Sequence, residues 1–259
     1  MTAPKRTSNR IADLDPARLA QLDSGAVESR TLAECLAIDF ARLMRATLPE
    51  IGETALCAMA DAAQTGITRR MTLAASLIEE HCRPDIIERL PSHPSDTVRG
   101  WACFRIGANP TLDLPERLAR IRPFADDPHF GVREWSWLAV RPHLAQDVAA
   151  SVALLVGWTG DPSPRIRRFA SESIRPRGVW CAHIALLKRQ PEIALPVLET
   201  LRADPNPYVQ DSVGNWLNDA AKDHPDWVLA LCGRWMAESP GPATARICRR
   251  GQRGLRSGE

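Results

Sequence analysis

The sequence predicts an all-α protein built from repeated helix pairs, and two observations carry that prediction. The first is periodicity. From residue 31 onward, apolar residues recur at i, i+3, i+4 spacing in stretches of roughly ten to fifteen residues, separated by turns rich in Pro, Gly or Asp-Pro. No run of alternating β-branched residues competes with that pattern. The second is an internal repeat. Four segments, "HPSDTVRGWACFRIG", "DPHFGVREWSWLAVRP", "DPSPRIRRFASESIRP" and "DPNPYVQDSVGNWLND", align on Pro94, Pro128, Pro162 and Pro205 at spacings of 34, 34 and 43 residues. A helix pair of that length cannot bury its apolar face alone, so neighbouring pairs must stack. The result is a HEAT-like helical-repeat solenoid, a superhelix of stacked helix pairs.

Taken in chain order, residues 1–30 are polar with little sustained periodicity and are expected to form a mobile N-terminal arm. Order is expected to begin with a capping box. Thr31 and Glu34 have the spacing that satisfies two free amide donors at a helix start, and Leu32, Cys35, Leu36, Phe40 and Leu43 then mark one helical face. In each repeat the Asp/Asn/Pro turn starts the second helix of the pair, and the wider last spacing places an insertion before the fourth copy. Arg141-Pro142 and Arg175-Pro176 are expected to end two helices, because the residue before proline disfavours the helical conformation. The repeat region is thus expected to span 31–250, followed by a basic tail at 251–259.

Composition removes several classes of function. A chain of 259 residues with 44% apolar content can build a real core. Its apolar runs are only a few residues long, short of the roughly 20 that span a bilayer, and no signal peptide opens it, so a soluble cytoplasmic protein is expected. The seven cysteines are scattered without a CxxC, and the six histidines show no ligand spacing, so neither a disulfide framework nor a metal site is expected. A Gly-rich phosphate loop, a GxSxG elbow and a zinc-deaminase signature are all missing, and no organic cofactor is implied. The net charge of +2 is almost neutral, but the basic residues are uneven. Seven Arg or Lys fall between Arg165 and Arg189, where Glu172 is the one acidic residue.

That segment contains "RRFASESIRPRGVW", residues 167–180. At 100° per residue, Ile166, Phe169, Ala170, Ser173 and Ile174 share the expected core side. Arg167, Arg168, Ser171, Glu172 and Arg175 fill the opposite side. Asp211, Asn215 and Asp219 form a comparable i, i+4, i+8 stripe in the last repeat. Stacking would bring Glu134, Glu172 and one or more of these Asp/Asn residues onto one ribbon, edged by Arg133, Arg167, Arg168, Arg175 and Arg177. Ordinary i, i+4 pairing of Arg168 with Glu172 explains a single carboxylate equally well, at a few tenths of a kcal/mol. Trp180, near the start of the next helix, reads by itself as a packing residue more readily than as a functional one. Trp101, Trp135, Trp158, Trp216, Trp227 and Trp235 are assigned to the core, with Trp137 left open.

"FGVREWSWLAVRP", "RRFASESIRPRGVW", "LRADPNPYVQDSVGNWLNDAAKDHPDWV" and the early "TLAECLAIDFARL" resemble the AlkC family of bacterial DNA alkylation-repair glycosylases over residues 30 to 250. The resemblance implies hydrolysis of the N-glycosidic bond of N3-methylated bases, chiefly 3-methyladenine and 3-methylcytosine. It further implies duplex DNA bound on the concave face of the solenoid, with the damaged base not extruded. The family's site positions fall on Glu134, Glu172, Trp180 and Asp219, with Asp211 as a rival for the last role. Some members append an immunoglobulin-like domain. A chain ending "RICRRGQRGLRSGE" resembles the shorter branch, and a solenoid that wraps DNA works as a monomer. Two other classes remain open: a HEAT-repeat DNA-binding protein without catalysis, and a protein-interaction scaffold, whose expected apolar groove contrasts with a ribbon of arginine and carboxylate.

Overall fold

The computed structural model describes residues 14–255, and all regular structure among them is helical. The chain opens with α1 (Pro16–Asp23), α2 (Leu32–Ala37), α3 (Phe40–Thr47), α4 (Glu53–Asp61), α5 (Ile67–His81), α6 (Pro84–Ile87) and α7 (Asp96–Ala108). It continues through α8 (Leu114–Ala125), α9 (Phe130–Leu144), α10 (Val148–Val156) and α11 (Pro164–Glu172). It finishes with α12 (Ala185–Arg189), α13 (Leu195–Leu201), α14 (Pro207–Ala220), α15 (Pro225–Glu238) and α16 (Pro242–Gly251). The repeat segments found in the sequence are α7, α9, α11 and α14, each opening within two residues of its aligned proline. This is the expected all-α, HEAT-like helical repeat.

Why the aligned turns look alike is visible in their hydrogen bonds. The residue five after each aligned proline reaches back to the turn's carbonyls: Arg99 to His93 and Pro94, Arg133 to Asp127 and Pro128, and Arg167 to Asp161 and Pro162. In the fourth repeat Gln210 does the same, donating to Asp204 O at 2.8 Å. The Asp before the proline fixes the turn from the other side, because its Oδ1 accepts the amide two residues on, at 2.7 Å in Asp127, 2.8 Å in Asp161 and 2.9 Å in Asp204. Arginines also link successive copies. Arg99 pairs with Asp127 at 3.0 Å, and Arg167 with Asp204 at 2.6 Å.

Two compact units emerge. The first comprises residues up to Thr111 together with Asp127–Ala139, and the second Leu112–Asp126 with Val140 onward. In the first unit α5 packs on α7, and Phe40, Met71, Ile78, Trp101 and Trp135 are fully buried. α7 is buried nearly all round, its charged Asp96 and Arg99 included, and glycine lets it approach α9 closely. A Cβ on Gly107 would lie 2.4 Å from the Ala139 carbonyl oxygen. Gly107→Ala should lower stability by about 1–3 kcal/mol, read as a smaller urea midpoint at unchanged slope. In the second unit α14 packs against both α11 and α16, around Phe169, Val213, Trp216, Leu217 and Ile247.

Several expectations are corrected here. Residues 14–30 do not form a mobile arm. Asp15 caps α1 through its side chain, Arg18 pairs with Glu34 at 3.0 Å, and buried Ser29 donates its N–H and Oγ–H to the buried carboxylate of Asp96. Residues 1–13 of the expected arm and 256–259 of the expected tail lie outside the described residues. The capping box is half formed: Thr31 Oγ1 accepts from Glu34 N, but the Glu34 carboxylate accepts from Arg30 N and turns to Arg18. The helix expected across Leu32–Leu43 breaks at Asp39, whose side chain caps α3 instead. Pro142 lies inside α9 rather than ending it, in the last turn, where the loss of one amide donor is small. Trp158 and Trp227 are only half-buried, whereas the other four tryptophans assigned to the core are buried.

Candidate active site

The second unit assembles a polar cluster from the end of α11, the following turn and α14. Ser163 caps α11 through its hydroxyl and Pro164 occupies the first helical position, where its missing amide costs nothing. Ile166, Phe169, Ala170, Ser173 and Ile174 are buried, as the helical wheel requires. The opposite side is not a free surface, because α14 lies against its C-terminal half. Ser171 is fully buried and Glu172 is only 4% exposed. Tertiary packing has turned a face that reads as solvent into an interior.

Glu172 survives there because it is fully partnered. Arg175 Nη1 donates to its Oε1 at 2.8 Å, Ser212 Oγ donates to Oε2 at 2.7 Å, and Arg168 Nη2 stands 3.7 Å from Oε2. The Ser212 and Ser171 hydroxyls share a 2.8 Å hydrogen bond, and the Arg168 guanidinium also lies over the Tyr208 ring, 4.5 Å from its centroid. Arg175 bridges to a second carboxylate, Asp219 in the last turn of α14, with Nε at 2.9 Å and Nη2 at 2.8 Å from Oδ2. One guanidinium therefore holds two buried carboxylates, Asp219 being likewise 4% exposed.

The two acids are driven apart in acidity. Burial pushes the Glu172 carboxyl up, but the charges of Arg168 and Arg175 and the hydrogen bonds from Ser212 and Arg175 together outweigh it and hold the group below the ordinary carboxylate value. At Asp219 burial is again the largest influence, and Arg175 with Lys222 offsets it only in part, so this carboxyl is raised. Glu172 is a committed anion. Asp219 is the more basic oxygen pair, suited to accept a proton.

Trp180 lies in the connection between α11 and α12, five residues before α12 begins, so it is not the expected packing residue at a helix start. It is 39% exposed and has φ of 67°, the one non-glycine residue with positive φ among the described residues. Glu134 lies on α9 in the first unit, where Trp137 Nε1 donates to its Oε2 at 2.8 Å. The Asp/Asn stripe of α14 divides: Asp211 pairs with Arg246 and Arg250, and Asn215 accepts from Arg250 and Arg253, so only Asp219 joins Glu172. Of the expected DNA-contacting arginines, Arg133 bonds turn carbonyls, Arg167 engages its own turn and Asp204, and Arg177 makes two 2.8 Å hydrogen bonds to Asp223.

Ser212 and Tyr208 are site residues that sequence reasoning did not single out. For Ser212 a signal existed. It occupies the apolar stripe of α14 with Val209, Val213 and Trp216, and a hydroxyl on such a stripe needs a buried partner. Among the described residues no group of His, Cys, Asp and Glu is arranged to hold a metal ion, and no helix is long and apolar enough to cross a membrane.

The chain is similar to the Pseudomonas fluorescens alkylpurine DNA glycosylase AlkC, solved bound to DNA containing an abasic site analog, with a TM-score of 0.68 and 25% identity over 96% of this chain and 65% of that one. It also resembles AlkD2 from Streptococcus mutans, with a TM-score of 0.59 and 19% identity over 78% of this chain and 97% of that one, which is a likeness of fold. In sequence it is 40% identical over 105 residues to the uncharacterized protein YhaZ of Bacillus subtilis (strain 168), covering 40% of this chain and 29% of YhaZ. It thus spans less than two thirds of both YhaZ and AlkC. No family model matches the chain.

Proposed function

We propose that this chain, which belongs with the AlkC/AlkD-like HEAT-repeat proteins, is a DNA glycosylase that hydrolyses the N-glycosidic bond of N3-methylated, cationic bases such as 3-methyladenine and 3-methylcytosine. The observation that carries this reading is the pair of buried carboxylates whose acidities are pushed in opposite directions around Arg175. A base methylated at N3 already bears a positive charge, so its bond to the sugar needs little help to break. What the reaction demands is an anion for the oxocarbenium-like sugar and a base for water.

Glu172, held ionised, serves the first demand. Asp219, with Arg175 confined to Oδ2, offers Oδ1 to a water molecule. The water oxygen bonds to the sugar carbon as the electron pair of the glycosidic bond leaves with the base, now neutral, and the water's proton passes to Asp219. Trp180 presents its ring to the deoxyribose or the cationic base, an attraction of about 0.5–2 kcal/mol. Binding duplex DNA through Arg168, Arg175 and Arg177 completes the reading, with phosphate contacts that position the duplex without reading its sequence. The pairing of Glu172 with Arg168 and Arg175 favours a second reading, a HEAT-repeat DNA-binding protein in which Glu172 is a structural ion pair.

One assay separates them. Purified protein should release N3-methylated bases from methylated duplex DNA without added metal. Intact DNA binding with no release by the wild type would leave the non-catalytic binder.

A further inference from the structure

The connection that carries Trp180 is tied down by a residue outside it. Arg141, in the last turn of α9 and in the second unit, is 2% exposed, and no carboxylate of the described residues lies within ion-pair distance. Its guanidinium instead bonds backbone. Nη1 donates to Ser173 O at 2.9 Å, Nη2 to Arg175 O at 2.6 Å, and Nε and Nη2 both reach Ala182 O at 3.3 Å. Two further carbonyls of this stretch have partners of their own: Trp216 Nε1 donates to Ile174 O at 3.0 Å and Ile184 N to Pro176 O at 3.0 Å.

These bonds have a physical reason. A helix end leaves carbonyls without intrahelical donors, and a cation there is favourable. Burying an arginine is nevertheless costly, and desolvation lowers the Arg141 pKa. A leucine would pack a bundle equally well. What only arginine supplies is a rigid fork of donors reaching both ends of one loop at once.

Gly178 tightens the same loop. A Cβ there would lie 2.0 Å from Cys181 Sγ, so the turn closes on itself with no room for a side chain. Between a clamped start at Ser173–Pro176 and a clamped end at Ala182–Ile184, the chain turns through the left-handed region at a tryptophan. Such strain persists only where the surroundings over-determine it. Val179 and Trp180 are exposed there, at 66% and 39%.

The geometry points to Arg141 as the positioning residue for Trp180: it clamps both ends of the 173–182 loop so that the indole is presented in one outward, left-handed pose. Repeat register sharpens the assignment. Arg141 and Arg175 occupy the same place in successive copies, 34 residues apart. One serves the carboxylates and the other the loop that follows them. The consequence for catalysis rests on the glycosylase reading, whereas the hold on Trp180 does not.

The test therefore has two arms. Full-length protein labelled with 5-fluorotryptophan gives fluorine resonances for its eight tryptophans, and the Trp180 line is identified by its loss in Trp180→Phe. In Arg141→Lys, and separately in Gly178→Ala, the Trp180 line should shift or split while the lines of buried Trp101, Trp135 and Trp235 stay in place. An unmoved Trp180 line in Arg141→Lys overturns the assignment. Collapse of all the lines in Arg141→Lys overturns it too, by marking Arg141 as a residue of the fold as a whole. In the second arm, base release by Arg141→Lys should fall in kcat by about 10²-fold, as expected for a misplaced contact group, and Arg141→Lys should add nothing in a Trp180→Ala background. Fully multiplicative losses would show that the two residues act independently and sink the proposal. If the wild type releases no base, the glycosylase reading fails and the fluorine spectra still decide the role of Arg141.

Discussion

Asp219→Asn should leave DNA binding and folding in place and lower base release by about 10²–10⁴-fold, the range for loss of a positioned general base. The amide is nearly the same size and can still meet Arg175 through its oxygen, but it cannot take a proton from water. Glu172→Gln should lose activity on a comparable scale for a different reason. Its carboxylate touches no proton in flight, so the loss is of charge facing a cationic sugar. The pH dependence distinguishes them. Base release requires ionised Asp219, whose carboxyl lies above its ordinary value of 3.8, so the rate should rise with pH through that raised pKa and then level off. Glu172, held below its ordinary value of 4.5, is already ionised across that range and does not set the limb. Removing a positive neighbour favours the protonated form of a carboxyl. Arg175→Gln should therefore move the acid limb to higher pH, and a limb that stays put or moves to lower pH would contradict the assignment of Asp219 as the base.

Arg167→Met should cost about 3 kcal/mol of stability, because it strands a buried carboxylate. Asp204 is buried, and Arg167 contributes hydrogen bonds of 2.6 and 3.0 Å to it as well as bonds to the Asp161 and Pro162 carbonyls. For a chain of this length a loss of that size lowers Tm by about 10 °C. Adding Asp204→Asn should recover part of it by removing the stranded charge, which a double-mutant cycle in urea measures. The opposite result, an unchanged Tm with weaker DNA binding and a shallower salt dependence, would place Arg167 on a phosphate. Equal charge is thus no guide to equal role. Arg168, one residue on, faces Glu172 and Tyr208.

The helical class, the four repeat helices and the core face of α11 were legible in the sequence, because they follow from periodicity and from proline-marked turns that act within a few residues. So was the insertion before the fourth repeat, which proves to hold the Trp180 connection and α12. Residues 14–30 were misread because they take their hold from partners, Glu34 for Arg18 in the short α1 and Asp96 for Ser29, that no local pattern reveals. The wheel set Glu172 on a solvent ribbon, since a wheel describes one helix and is blind to whatever packs on its other side. Only tertiary structure decided which carboxylate of α14 meets Glu172. Asp211, Asn215 and Asp219 are equivalent by spacing, and α16 claims the first two. It also separated arginines that are identical on paper, sending Arg167 to a turn, Arg175 to two acids and Arg141 to a loop. Local sequence sets which groups a helix offers. Which of them are buried, and beside what, depends on contacts 30 to 45 residues apart, and those contacts set both charge state and chemistry.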